Sequence, residues 1–184
     1  MPNLKKRKDD TYQPAILLFK GKGTVSRAIR WWTFSEYSHA AILMPDGKII
    51  ESWQGKGVQI KELTDWSNVD VFYVKGMTEA QWDIAIHFAK SQLGKPYDYI
   101  GITNFITRAT PAENFRWFCS ELVFAACLKA GVSLLKRIRS GRAAPAHLSL
   151  SPLLNGETEY EKLLLTTPDR GVVSRMLFHI RRVA

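Results

Sequence analysis

Two apolar runs flank Pro45-Asp46-Gly47, "SHAAILM" (38–44) before it and "KIIESW" (48–53) after it. Proline presets φ, glycine tolerates a positive φ, and such a turn folds two strand-like runs back antiparallel. This hairpin constrains the fold more than any other feature. It commits the chain to an antiparallel sheet and brings residues near 39–41 opposite residues near 51–53. The meander continues through "GKG" (55–57) into a strand over 58–63, and "DVFYVKG" (70–76) gives another, ended by Gly76. Upstream, "PAILLF" (14–19) reads as a short buried strand stopped by "GKG" (21–23).

Helical signals alternate with these strands. "TVSRAIRWWTF" (24–34) predicts a helix with Thr24 as N-cap and with Ile29, Trp31 and Trp32 near a core face. The next has Thr78 as N-cap and runs to about Leu93, with Gly94 and Pro96 behind it; Trp82, Ala85, Ile86, Ala89 and Leu93 form its apolar stripe. A third helix is expected over about 119–130, stopped by Gly131. Residues 97–106 read as a helical turn lining a cleft, 145–154 as a loop or short helix, 159–165 as a strand, and "GVVSRMLFHIRRV" as strand or helix. No internal repeat or linker interrupts the chain. The sum is α+β: a flexible basic lead over 1–12, then a single domain over 13–184 with helices packed on an antiparallel sheet.

Composition narrows the function classes. With 46% hydrophobic and 11% aromatic residues the chain is globular rather than disordered. Two cysteines make no disulfide framework, which favours a reducing compartment. No apolar run has signal-peptide or membrane-spanning length, so the expected location is cytoplasmic. The net charge of +9 concentrates in "KKRK" (5–8), "KRIRSGR" (136–142) and "HIRR" (179–182). Such runs are solvated surface or meet an anionic membrane or acidic polymer; no nucleic-acid-binding motif accompanies them. Histidines and cysteines lack zinc-ligand spacing, so no metal and no cofactor is expected.

The two cysteines separate by helix geometry. Cys119, Leu122, Val123, Ala126, Cys127 and Ala130 fall on one inward stripe. At ~1.5 Å per residue the two thiols lie roughly 12 Å apart, beyond disulfide reach. Cys119 starts the helix, where free N–H groups and the dipole stabilise a thiolate and can hold an oxyanion. Cys127, among alanines and leucine, is a small apolar filler. By residue type alone Cys119 is either nucleophile or packing, and a partner must decide. His87 lies mid-helix beside an apolar stripe, while His147 and His179 sit in exposed segments. His39 opens a strand facing either a cleft or the core, and hairpin pairing delivers Glu51 beside it, as a partner fixing the imidazole or as an exposed strand residue.

The order "SHAAILMPDGKIIES", then about eighty residues later "YDYIGITNF…RWFCSELVFAACLKAG", resembles the circularly permuted branch of the NlpC-type papain-like superfamily. This is the YiiX-like group, which includes poxvirus proteins and is related to lecithin–retinol acyltransferases. The likeness covers roughly residues 14–154. In the ordinary order the Cys helix precedes the His strand; here His precedes Cys. The resemblance implies a papain-like fold with Cys119 as nucleophile, His39 as general base and acid, and Glu51 orienting His39. It implies substrate-binding or oxyanion support from Tyr97, Ser38 and Ser120, and a cleft wall from "RAAPAHLSLSPLL". Aromatic residues near such a cleft (Trp31, Trp32, Trp53, Trp66, Tyr97, Tyr99, Trp117) suit acyl chains, sugar–peptide or core packing. Three functions remain open: a cysteine hydrolase cleaving an amide in a peptide or peptidoglycan-like substrate through a thioester, a lipid ester hydrolase or acyltransferase using the same site, and an inert binding module.

Overall fold

A computed structural model describes residues 12–99, 116–136, 138 and 143–157, with backbone alone at Val25, Trp32 and Glu157. Most of the lead, the end of the 97–106 segment, most of the three basic runs, the 159–165 strand, the last segment and His179 lie outside the described residues. Six strands form one sheet: β1 (Ala15–Phe19), β2 (His39–Leu43), β3 (Lys48–Trp53), β4 (Gly57–Glu62), β5 (Val69–Val74) and β6 (Leu154–Glu157). Their spatial order is β4-β3-β2-β1-β5-β6, every pair antiparallel. Four helices accompany them among the described residues: α1 (Thr24–Thr33), α2 (Glu79–Ser91), α3 (Cys119–Lys129) and α4 (Pro145–Ser149).

The apolar runs of β1 and β2 have a direct cause, because both faces of these central strands are covered. Ile16, Leu18, Ala40 and Ile42 face the main core beneath α2 and α3, while Leu17, Ala41 and Leu43 join a second cluster with Val71 and Tyr73. Each fully buried Leu or Ile here contributes about 1.5–3 kcal/mol. The expected Pro45-Asp46-Gly47 hairpin is present, with Gly47 at φ 81 and Ile42 paired with Ile50. At α2 the Thr78 hydroxyl accepts from the Gln81 N–H while the Gln81 side chain accepts from the Thr78 N–H, a reciprocal cap.

Several expectations need correction. The N-cap of α1 is Gly23, not Thr24, and Trp31 is 73% exposed rather than near the core. Ile29 alone of those three is seen buried, since the Trp32 side chain is not described. Leu93 is exposed because α2 ends at Ser91. Tyr12 is not part of a loose lead: its N–H donates to Glu79 Oε1 at 3.0 Å. β6 was missed because "LNGE" has low strand propensity. It forms by pairing with β5, and Gly156 lies so close to the Phe72 ring that a Cβ there would come within 2.7 Å.

Candidate active site

The site begins on the strands. His39 opens β2 and is 8% exposed; its Nε2 lies 2.8 Å from Glu51 Oε2. Continuing the Ile42–Ile50 register puts His39 opposite Trp53, with Glu51 two residues away on the same face. The rings agree: Trp53 meets His39 edge-on at 4.9 Å between centroids, and Phe19 tilts against it at 5.1 Å. On the next strand Gln59 pairs with Glu51 and donates from Nε2 to Glu51 Oε1 at 2.9 Å. Both oxygens of this buried carboxylate are thereby satisfied. The chain entering His39 is held as well. Tyr37 donates to Asp70 Oδ2 at 2.7 Å, Lys20 pairs with Asp70 at 2.8 Å, and the Ser38 N–H donates to the Phe19 carbonyl at 2.9 Å.

The helix side brings Cys119. It is the first residue of α3, after an extended Phe118, and is 1% exposed. Trp117, just before it, is tied to the sheet: Ser52 Oγ donates to its carbonyl at 2.7 Å, and its indole donates to Gln92 Oε1 at 3.2 Å. A parallel bridge joins Trp117 to Tyr97. Cys119 packs with Ile29, Tyr97 and Phe118.

Electrostatics link the two sides. Burial by itself pushes the His39 pKa down, but the charge and hydrogen bond of Cys119, joined by those of Glu51, outweigh it and raise the pKa to about 9. Burial also favours a neutral Glu51, yet His39 and the Gln59 amide hold its carboxyl below the usual value. Glu51 therefore stays a carboxylate facing the Nε2–H, which leaves Nδ1 as the ring nitrogen for the thiol. Cys127 differs as expected: it sits in the main core, and burial pushes its thiol up to about 12.

A cleft of about 330 Å³ opens beside this group, between the 21–26 turn and Trp53, Gln54 and Tyr97, with His39 in its wall. Ser38 lines it too, but its hydroxyl accepts from the Gly21 N–H at 3.1 Å. The Tyr97 hydroxyl, bonded to Gln54, is kept protonated by burial and by the charge of Cys119. Ser120 is turned elsewhere: fully buried, it donates to the Ala143 carbonyl. The 143–154 segment does not line this cleft but supports α3 through that bond, which corrects its expected role. His147 is half-buried in α4, where Nδ1 accepts from the Ala144 N–H at 3.1 Å, while His87 is exposed. Among the aromatics, Trp53, Tyr97 and Tyr99 stand by the site, whereas Trp66 packs in the second cluster and Trp117 in the main core. Sequence reasoning missed Gln59 and Ser52. The signal for Gln59 was available, because a hairpin across 54–56 pairs it with Glu51.

An antiparallel sheet with the histidine on an upstream strand and the cysteine at the head of a later helix defines a permuted papain-like protein. The chain belongs to the C92 family, described as permuted papain-like amidase enzymes of the YaeF/YiiX type, whose model matches residues 12–142. It is 31% identical over 172 residues to the probable lipoprotein peptidase YaeF of Escherichia coli K12; the match covers 74% of this chain and 62% of that relative. Its fold is similar to the crystal structure of metalloprotein yiiX from Escherichia coli O157:H7, with a TM-score of 0.61 at 20% identity, over 79% of this chain and 96% of that one. Among the described residues of this chain, no three His, Cys, Asp or Glu side chains are grouped to hold a metal ion. No helix among them is long and apolar enough to cross a membrane.

Proposed function

We propose that the protein is a cysteine hydrolase that cleaves an amide bond in a peptide or peptidoglycan-like substrate through a thioester acyl-enzyme. The observation that carries this reading is the buried His39–Glu51 pair at 2.8 Å, with His39 in turn charge-coupled to Cys119. Family membership supports the same class of reaction.

The chemistry follows from the parts. His39 Nδ1 takes the thiol proton, and Glu51 holds the Nε2–H and stabilises the imidazolium. The Cys119 sulfur attacks the amide carbon, and N–H groups of the first turn of α3, which a helix leaves without partners, hold the oxyanion. The C–N bond breaks as the imidazolium returns its proton to the leaving amine. Water, activated by the now neutral His39, then hydrolyses the thioester and frees Cys119. Because Cys119 is covered by Ile29 and Tyr97, which also line the cleft, substrate entry requires one of these side chains to move.

The test is mass spectrometry of the protein after brief incubation with peptide, muropeptide and phospholipid pools, quenched in acid. A peptidyl adduct on Cys119, absent in Cys119→Ala and never found on Cys127, is expected. A fatty-acyl adduct would overturn the amide reading in favour of lipid ester chemistry.

A further inference from the structure

The outward side of α1 carries Arg27, Trp31 and Phe34 at intervals of four and three, opposite the buried Ile29. Trp31 is 73% and Phe34 93% exposed. Phe34 also closes the helix in the left-handed conformation, at φ 48 and ψ 41, where its N–H bonds to the Arg30 carbonyl. Among the described residues it is the one non-glycine at positive φ. That helix-end position favours glycine, and an aromatic ring there in water is disfavoured twice, by backbone strain and by hydration. Strain kept at an exposed aromatic points to a use outside the fold.

The surroundings identify the partner. In residues 20–36, Lys20 is held by Glu36 at 3.0 Å and by Asp70 at 2.8 Å, which leaves Lys22, Arg27 and Arg30 as the segment's positive charges, with Glu36 its one acidic residue. The first turn of α1 has no acidic residue. Exposed Trp and Phe beside basic side chains on one helix bed at the headgroup level of an anionic bilayer. A second copy of the chain would bring two like-charged faces together. Thr24, Ser26 and Ile29 of the same helix line the cleft with His39. We propose that α1 is a docking surface for anionic lipid, seated through Trp31 and Phe34 and steered by Lys22 and Arg27, which holds the cleft at the membrane surface. This does not depend on which bond the site cleaves.

Cosedimentation of the full chain with phosphatidylcholine vesicles, with and without phosphatidylglycerol, tests it. The wild type is expected to partition onto the phosphatidylglycerol vesicles, and Trp31→Ala and Phe34→Gly each to weaken that partitioning by about tenfold. Phe34→Gly relieves the positive φ and should raise the Tm, so weaker binding by this variant cannot come from unfolding. Wild-type partitioning by both variants would overturn the proposal, because the binding would then belong to other basic segments. So would a wild type that ignores anionic vesicles, or a dimer in sedimentation velocity that Phe34→Gly abolishes.

Discussion

Replacing Glu51 by Gln keeps the shape of the side chain but removes its charge, and the hydrogen bonds around it set the consequence. The His39 pKa stands at about 9 against an ordinary 6.5, which corresponds to about 3 kcal/mol in favour of the imidazolium. Cys119 is the larger favourable contributor and Glu51 the second, so removing the Glu51 charge lowers the His39 pKa part of the way back toward its ordinary value. The amide adds a second penalty. Gln59 donates to one oxygen of Glu51 and His39 to the other, and an amide has a single oxygen. If that oxygen stays with Gln59, the NH₂ group faces His39 Nε2 and selects the tautomer that puts the proton on Nδ1, where the thiol needs a base. A wrong tautomer costs about 10⁴ in turnover in a Ser-His-Asp triad. The assay is the alkylation rate of Cys119 by iodoacetamide between pH 5 and 10. Glu51→Gln should slow alkylation at pH 6 by about tenfold and lower the inflection set by His39. Stability should follow: the raised His39 pKa stabilises the fold below about 6.5, and this is lost as pH rises through about 9, so the variant should lose less over that interval. A wild-type alkylation rate with an unmoved inflection would refute the role given to Glu51.

Two further predictions concern stability. Burial, opposed by the Phe118 N–H bond and aided by Asp98, raises the Glu121 pKa to about 7. The folded state therefore prefers the protonated acid and loses stability as pH rises from about 4.5 to 7, so Glu121→Gln should stabilise by about 2 kcal/mol at pH 8 and leave pH 4 unchanged, as read from thermal melts. Gly57 sits at φ +71, where a Cβ would lie 2.2 Å from the Lys95 carbonyl oxygen, which itself accepts from the Val58 N–H. Gly57→Ala should cost about 3 kcal/mol in urea denaturation, and a loss below about 1 kcal/mol would show that this edge of β4 yields easily.

The strands and the two long helices were legible because their signals are local. Pro45-Asp46-Gly47 fixed the hairpin, and Thr78 with Gln81 marked the start of α2. The hairpin also put Glu51 within reach of His39, since strand pairing is a geometric rule. The unforeseen parts depend on contacts distant in sequence. β6 exists because β5 offers an edge to a Gly-containing segment, and Ser120 faces the Ala143 carbonyl because α4 packs behind α3. Which aromatics line the cleft was likewise hidden, because exposure at Trp31 and burial at Trp117 are set by neighbours from other elements.

The bridge between Tyr97 and Trp117 fixes the approach to Cys119. Asp98 donates from its N–H to the Trp117 carbonyl and Trp117 to the Pro96 carbonyl, each at 3.1 Å, so two stretches far apart in sequence are held side by side. Cys119 lies two residues beyond Trp117, whose carbonyl Ser52 also holds, and this sets it beside His39. The start of α3 thus takes its direction from the sheet and from the 96–98 stretch together, so loosening either tie would shift Cys119 relative to His39.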